Sequence, residues 1–204
     1  MYSKYEEMRV MKQVIQNYAD NQKRQYESTV TMLKDQTSNF PLDINSDRTN
    51  TEISSLQSKV SLLSGYQADY QSALSIISEL NKATMCYEQA YTPEQLQPGG
   101  IGEQRAKEGN KIFYDVRTQN ADYKKIIDEI AYSLFVAHDP LIEGLGMDYD
   151  AKAESLEKDF EMGKITKEQL IYYSNMCWSL SQNPDYIKYM SQFQQETPTQ
   201  GFHR

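Results

Sequence analysis

A chain of 204 residues with a formal charge of −8 at pH 7 is poorly suited to neutralise phosphates. That excludes nucleic-acid binding driven by counterion release and adhesion to an anionic bilayer. The apolar share of 39% is below ordinary globular usage, yet 16 tyrosines add surface that can be partly buried, which is the profile of a bundle with long solvent-facing helices.

The opening MYSKYEEMRVMKQ is charged throughout, and no later run is long and apolar enough to span a bilayer. Neither a cleavable leader nor a membrane contact is therefore expected. The first predicted helix runs from Ser3 to about Lys34, with Met8, Met11, Ile15 and Tyr18 as its seam. Gln22 and Gln25 then take seam positions, and Tyr26, Val30 and Leu33 imply a shift of register. Pro41 ends the pattern within Asp35–Asp47, where Phe40, Leu42 and Ile44 are available to pack back onto the bundle.

Asp47 to Tyr91 carries the strongest periodicity. Apolar or aromatic residues fall at Ile53, Leu56, Val60, Leu63, Tyr70, Leu74 and Ile77, with Gln67 in the one gap, a three-four alternation that predicts a heptad seam. At about 1.5 Å per residue this helix would run roughly 60 Å. Ser54, Ser55, Ser58, Ser61, Ser64, Ser72, Ser75 and Ser78 are expected to face outward, so the helix should draw its stability from packing. Gly65 marks a bend or a tight crossing.

TPEQLQPGGIG, residues 92–102, breaks the helical pattern. It lacks the Lys-Ser/Thr of a phosphate cradle and reads as a hinge or hairpin loop. A third long helix is expected from near Glu103 to about Ala137, with Ile112, Val116, Tyr123, Ile126, Ile127, Ile130, Leu134 and Phe135 inward. Beyond Pro140 come shorter helices. Asp150 to Met162 is closed by Gly163 in a left-handed cap, Thr166 caps a helix to about Leu180, and a last helix follows Asn183-Pro184. The expected fold is all-α: an elongated up-down bundle of three to four long helices over 1–139, a smaller short-helix segment over 140–190, and a flexible docking tail over 191–204.

Chemistry-bearing residues are sparse. His138 beside Asp139 stands at a helix end and reads as a cap, and His203 lies in the tail, so two histidines in such places make no zinc site. Asp148, Asp150, Glu154, Glu157, Asp159 and Glu161 form a solvated acidic face that lacks the calcium-loop pattern. Cys86 and Cys177, beside Met85 and Met176, read as small buried hydrophobes in a reducing compartment. No cofactor, metal or enzymatic activity is expected.

Tyr66, Tyr70, Tyr87 and Tyr91 on the second helix, with Tyr114, Tyr123, Tyr132, Tyr172, Tyr173, Tyr186 and Tyr189 further on, are too many for one core. Tyrosine joins contact area to one hydrogen bond, so these residues are expected at subunit or partner interfaces, Tyr66, Tyr70, Tyr87 and Tyr91 first among them.

In helix number, helix length and tail, the chain resembles the head-to-tail adaptor, or connector ring, proteins of short-tailed bacteriophages, although no specific motif carries the likeness. The resemblance implies a homo-oligomeric ring of roughly a dozen copies. The ring would lie between portal and tail proteins in the virion, assembled in host cytoplasm, with DNA passing nearby without specific binding. It places docking on the tail, at Gln192, Phe193, Phe202 and Arg204, and on the loops around Phe40, Leu42 and Ile44 and around Pro98 to Gly102. The alternative is a cytoplasmic helical adaptor or regulatory binding module, monomeric or dimeric through the Ile53–Ile77 seam.

Overall fold

The computed structural model describes residues 2–39, 47–89 and 99–195, without the side chains of 48 and 193–195. Among the described residues the fold is all-α: α1 (Lys4–Ser38), α2 (Asp47–Glu88), α3 (Ile101–Gln119), α4 (Ala121–Val136), α5 (Tyr149–Glu161), α6 (Lys167–Gln182) and α7 (Pro184–Gln195). The chain divides into two compact units, one made of Met1–Met11 with Tyr114–Arg204 and the other of Lys12–Phe113. The helix over 121–136 thus groups with the short helices that follow it.

The Lys12–Phe113 unit is built on heptad rows. On α1 the inward row is Ile15, Ala19, Gln22, Tyr26, Thr29, Leu33 and Gln36, so Gln25 is exposed and Tyr26 takes the inward place. On α2 the row is Thr49, Glu52, Leu56, Lys59, Leu63, Tyr66, Tyr70, Ala73, Ile77, Leu80, Thr84 and Tyr87, every one buried or half-buried. A strict three-four alternation keeps one stripe facing inward as the helix turns. The expected seam is therefore half right. Leu56, Leu63, Tyr70 and Ile77 face in, whereas Ile53, Val60, Gln67 and Leu74 are exposed and their inward places belong to Glu52, Lys59, Tyr66 and Ala73.

Near the α1–α2 connection, Gln36 donates to Glu52 Oε2 at 2.5 Å and accepts from Lys59. At the other end, α2 and α3 run antiparallel: as the α2 partner advances from Ala83 to Gln89, the α3 partner recedes from Gly109 to Arg105. Gly109 is required there, because a Cβ would stand 2.8 Å from the Ala83 carbonyl oxygen and 3.0 Å from the Tyr87 ring. The Tyr87 hydroxyl donates to Asn110 Oδ1 at 2.5 Å across the same crossing.

The expected single helix Glu103–Ala137 is two, because Asn120 adopts an extended conformation and its side chain accepts from the Tyr123 amide at 3.0 Å. That bond satisfies one of the amides a new helix leaves open, so α4 starts afresh.

In the other unit α6 is central, packed against α4, α5 and α7. Leu170, Ile171, Ser174, Asn175, Met176, Cys177, Ser179 and Leu180 are buried around nearly its whole circumference. Facing them are Tyr123, Ile126, Ile127 and Ala131 of α4, Leu156 of α5, Tyr186 of α7, and Ile142 and Leu145 of the intervening turn. Caps fix the helix ends. Thr166 and Gln169 form a reciprocal capping box, and Gly163, at φ 70°, closes α5 with the Gly163 and Lys164 amides donating back to Phe160 and Asp159. His138, at φ 54°, closes α4 in the same way, its amide reaching Phe135 and that of Asp139 reaching Leu134.

Candidate assembly face on α2 and the Trp178 cleft

Among the described residues, the outer side of α2 differs from the exposed faces of α1 and α3. Between Ile53 and Ser78 the only charged residues are Lys59 and Asp69, and both are half-buried. The exposed positions are Ile53, Ser54, Gln57, Ser58, Val60, Ser61, Leu62, Ser64, Gly65, Gln67, Ala68, Gln71, Leu74, Ser75 and Ser78. Among them Ile53, Val60 and Leu74 are 40%, 54% and 37% exposed. By contrast, α1 exposes Asp20, Lys23, Arg24, Glu27, Lys34 and Asp35, and α3 exposes Lys107, Glu108 and Lys111. Depletion of charge, with apolar side chains left in the open, is what the core of a protein interface looks like before its partner arrives.

In the unit of α4 to α7, Trp178 interrupts the buried circumference of α6 and is 48% exposed, its ring edge-on to Tyr149 at 5.3 Å. It lines two cavities. One, of about 440 Å³, is lined by Arg117, Tyr123, Lys124, Asp128, Asn175 and Ser179 among others; the second, of about 580 Å³, by Met147, Asp148, Tyr149, Asp150 and Ser181, with Trp178 and Gln182 shared. The polar lining is held in place. The Arg117 guanidinium donates to Glu7 Oε1 at 2.7 Å, and the Glu7 side chain is only 3% exposed and also meets Lys4 at 2.9 Å. The Ser179 hydroxyl donates to Asp128 Oδ1 at 2.5 Å. Burial pushes the Tyr123 phenol well above its usual value, an effect the Arg117 charge opposes and the Glu7 charge reinforces.

No family model, curated protein or solved structure matches this chain. Its site must be read from its own side chains. Tyr66 and Tyr70 lie half-buried on the inward row of α2, and the half-buried Tyr87 donates to Asn110. Gln192 is exposed on α7. Phe40, Leu42, Ile44, Tyr91, Pro98, Phe202, Arg204 and the Phe193 side chain lie outside the described residues.

The acidic stretch is partly committed to structure: Asp148 caps α5 by accepting from the Ala151 amide at 3.0 Å, and Asp159 pairs with Lys164 at 2.9 Å. Among the described residues no three His, Cys, Asp or Glu side chains are gathered to hold a metal, and no helix is long and apolar enough to cross a membrane. Cys177 is fully buried, and burial raises its thiol to about 11, which suppresses the reactive thiolate. Asp139 accepts from the Tyr173 hydroxyl at 3.0 Å and from the Leu141 amide, a structural arrangement that ties α6 to the turn after α4.

Sequence reasoning missed both the uncharged outer face and Trp178. The first was legible in principle, since Lys59 and Asp69 are the only charges in that span and fall on the inward side of a heptad numbered from Glu52. The second was not, because Trp178 sits among apolar neighbours that any pattern would bury with it.

Proposed function

We propose that the chain is a structural assembly protein: a helical subunit that contributes surface to a larger body, in the manner of a ring-forming head-to-tail adaptor joining a phage portal to the tail and continuing the DNA channel. One observation carries the proposal, the uncharged and partly apolar outer face of α2 between Ile53 and Ser78. Leaving Ile53, Val60 and Leu74 in water is unfavourable by roughly 25 cal/mol per Å² of apolar surface, a term that association recovers. The net charge of −8 suits a wall past which DNA slides without being gripped.

Fractionation of assembled virions tests this. The chain should be found in the particle at roughly a dozen copies, and a Val60→Glu, Leu74→Glu variant should be absent from particles while keeping its helix content. A chain that remains entirely free in the host cytoplasm would end the proposal.

A second role, as a helical adaptor or regulatory module, is favoured by the exposure of Trp178 lining two cavities, since a half-open tryptophan flanked by Tyr149 and Met147 is a common anchor for a protein partner.

A further inference from the structure

We infer that the partner seated on the outer face of α2 is a second copy of this chain, packed α2 against α2 through the row Ile53, Gln57, Val60, Ser64, Gln67, Gln71, Leu74 and Ser78. This rests on the assembly role proposed above and names its partner. All eight residues are exposed, and their spacing alternates four and three throughout, so α2 carries two heptad rows, one turned into its own unit and one turned out.

Charge selects the occupant. Two copies each carrying −8 repel wherever their charged surfaces approach, and a long face without a charge is where that repulsion is least. A partner of opposite charge would gain nothing from this face and would be better met by the mixed charges of α1 or α3. Repeat length selects it as well. A heptad row is matched along its length only by another heptad row, and the outer row of α2 provides one.

Shape agrees with both. Ser64 within the row, and Ser61 and Ala68 beside it, are small, while Ile53, Val60 and Leu74 supply the apolar bulk and Gln67 and Gln71 can pair by hydrogen bonds across the contact. The midpoint of the row falls between Ser64 and Gln67, so Ser64 faces its own copy when the two helices run parallel and Gln67 when they run antiparallel.

The test uses the full chain in a dilution series followed by sedimentation velocity at low and high salt. Self-association should appear and strengthen as salt rises, because salt screens the mutual repulsion and there are no interfacial ion pairs for it to weaken. In Val60→Glu, Leu74→Glu the association constant should fall at least roughly a hundredfold, since each copy would bury two unpaired carboxylates. Both positions are open to solvent, so the far-ultraviolet circular dichroism should be unchanged. In a Cys86→Ser background, Ser64→Cys should give a disulfide-linked dimer on mild oxidation if the helices run parallel, and Ser64→Cys with Gln67→Cys should do so if they run antiparallel.

A chain that stays monomeric at its highest attainable concentration in high salt overturns the inference. So does association that persists undiminished in Val60→Glu, Leu74→Glu. If the chain is monomeric while the same variant loses its place in a larger particle, the assembly role stands and the second copy is the wrong partner. If the variant both self-associates and assembles normally, the face has neither role.

Discussion

Gln22 and His138 each sit where the local physics disfavours them, on opposite sides of the division between the two units. Gln22 lies on the inward row of α1 with its Oε1 buried and without a hydrogen-bond partner among the described residues. A buried acceptor left unpaired is unfavourable by about 1–3 kcal/mol, so Gln22→Met, which keeps the volume, should stabilise the Lys12–Phe113 unit by about 1 kcal/mol. The urea midpoint by circular dichroism reads that change. His138 adopts a left-handed conformation that a side chain disfavours by about 1 kcal/mol or more. Its contact with Glu143 is long, at 3.7 Å, and solvent-exposed, so it offsets little. His138→Gly should raise the melting temperature seen through Trp178 fluorescence, and a fall would show that the imidazole holds the turn by means other than the cap. Glu7 is the opposite case, a buried carboxylate whose partners Arg117 and Lys4 leave it well satisfied. Glu7→Ala deletes an acceptor shared by the Arg117 guanidinium and Lys4 and should destabilise its unit by about 1.5–3 kcal/mol.

At the level of elements, helix ends and helix rows were legible to different degrees. Thr166 and Gly163 announce themselves, because a hydroxyl before an amphipathic run and a glycine after one have few other uses, and both do what their residue types predict. Asn120 was hidden. It falls inside a continuous apolar periodicity that runs on from Val116 to Tyr123, and its extended backbone and side-chain bond to the Tyr123 amide divide α3 from α4. The seam of α2 was shifted for a definite reason: its outward residues Ile53, Val60 and Leu74 are more apolar than the inward Glu52, Lys59 and Ala73, so hydrophobicity points partly to the wrong side. Gly109 carried no signal at all, since a single glycine within a helical pattern does not say what crosses it. Gly109→Ala would raise helix propensity by about 1 kcal/mol, yet the 2.8 Å approach to the Ala83 carbonyl oxygen should make the variant less stable by about 1–3 kcal/mol net. Thermal unfolding followed by circular dichroism decides the sign.

Across the whole molecule, alkaline titration should separate the two units. In the unit of α4 to α7 the phenols of Tyr2, Tyr149, Tyr172 and Tyr186 are raised mainly by burial, and Tyr173 is pushed up to about 12 by burial and then by its bond to Asp139. Cys177 is raised to about 11. An acid whose folded value lies above its unfolded one adds stability that is complete below the unfolded value and lost as the pH climbs through the folded one. For these groups the loss begins near the ordinary thiol value of 9.0 and the phenol value of 10.0 and extends to about 12. Trp178 fluorescence should therefore change at a lower pH than the circular dichroism of the long helices, with the raised Cys86 the one such thiol in the other unit. Coincident transitions would show that the two unfold as one. Residues 2–11, finally, share a unit with 114–195: Glu6 bonds Lys167 at 2.6 Å and Glu7 bonds Arg117. The intervening Lys12–Phe113 unit is one unbroken stretch and can close as soon as it leaves the ribosome, whereas the first turns of α1 must wait, unsheltered, until α6 has been synthesised. A protease clip or a bulky fusion ahead of Met11 should accordingly damage the far end of the polypeptide and spare the middle.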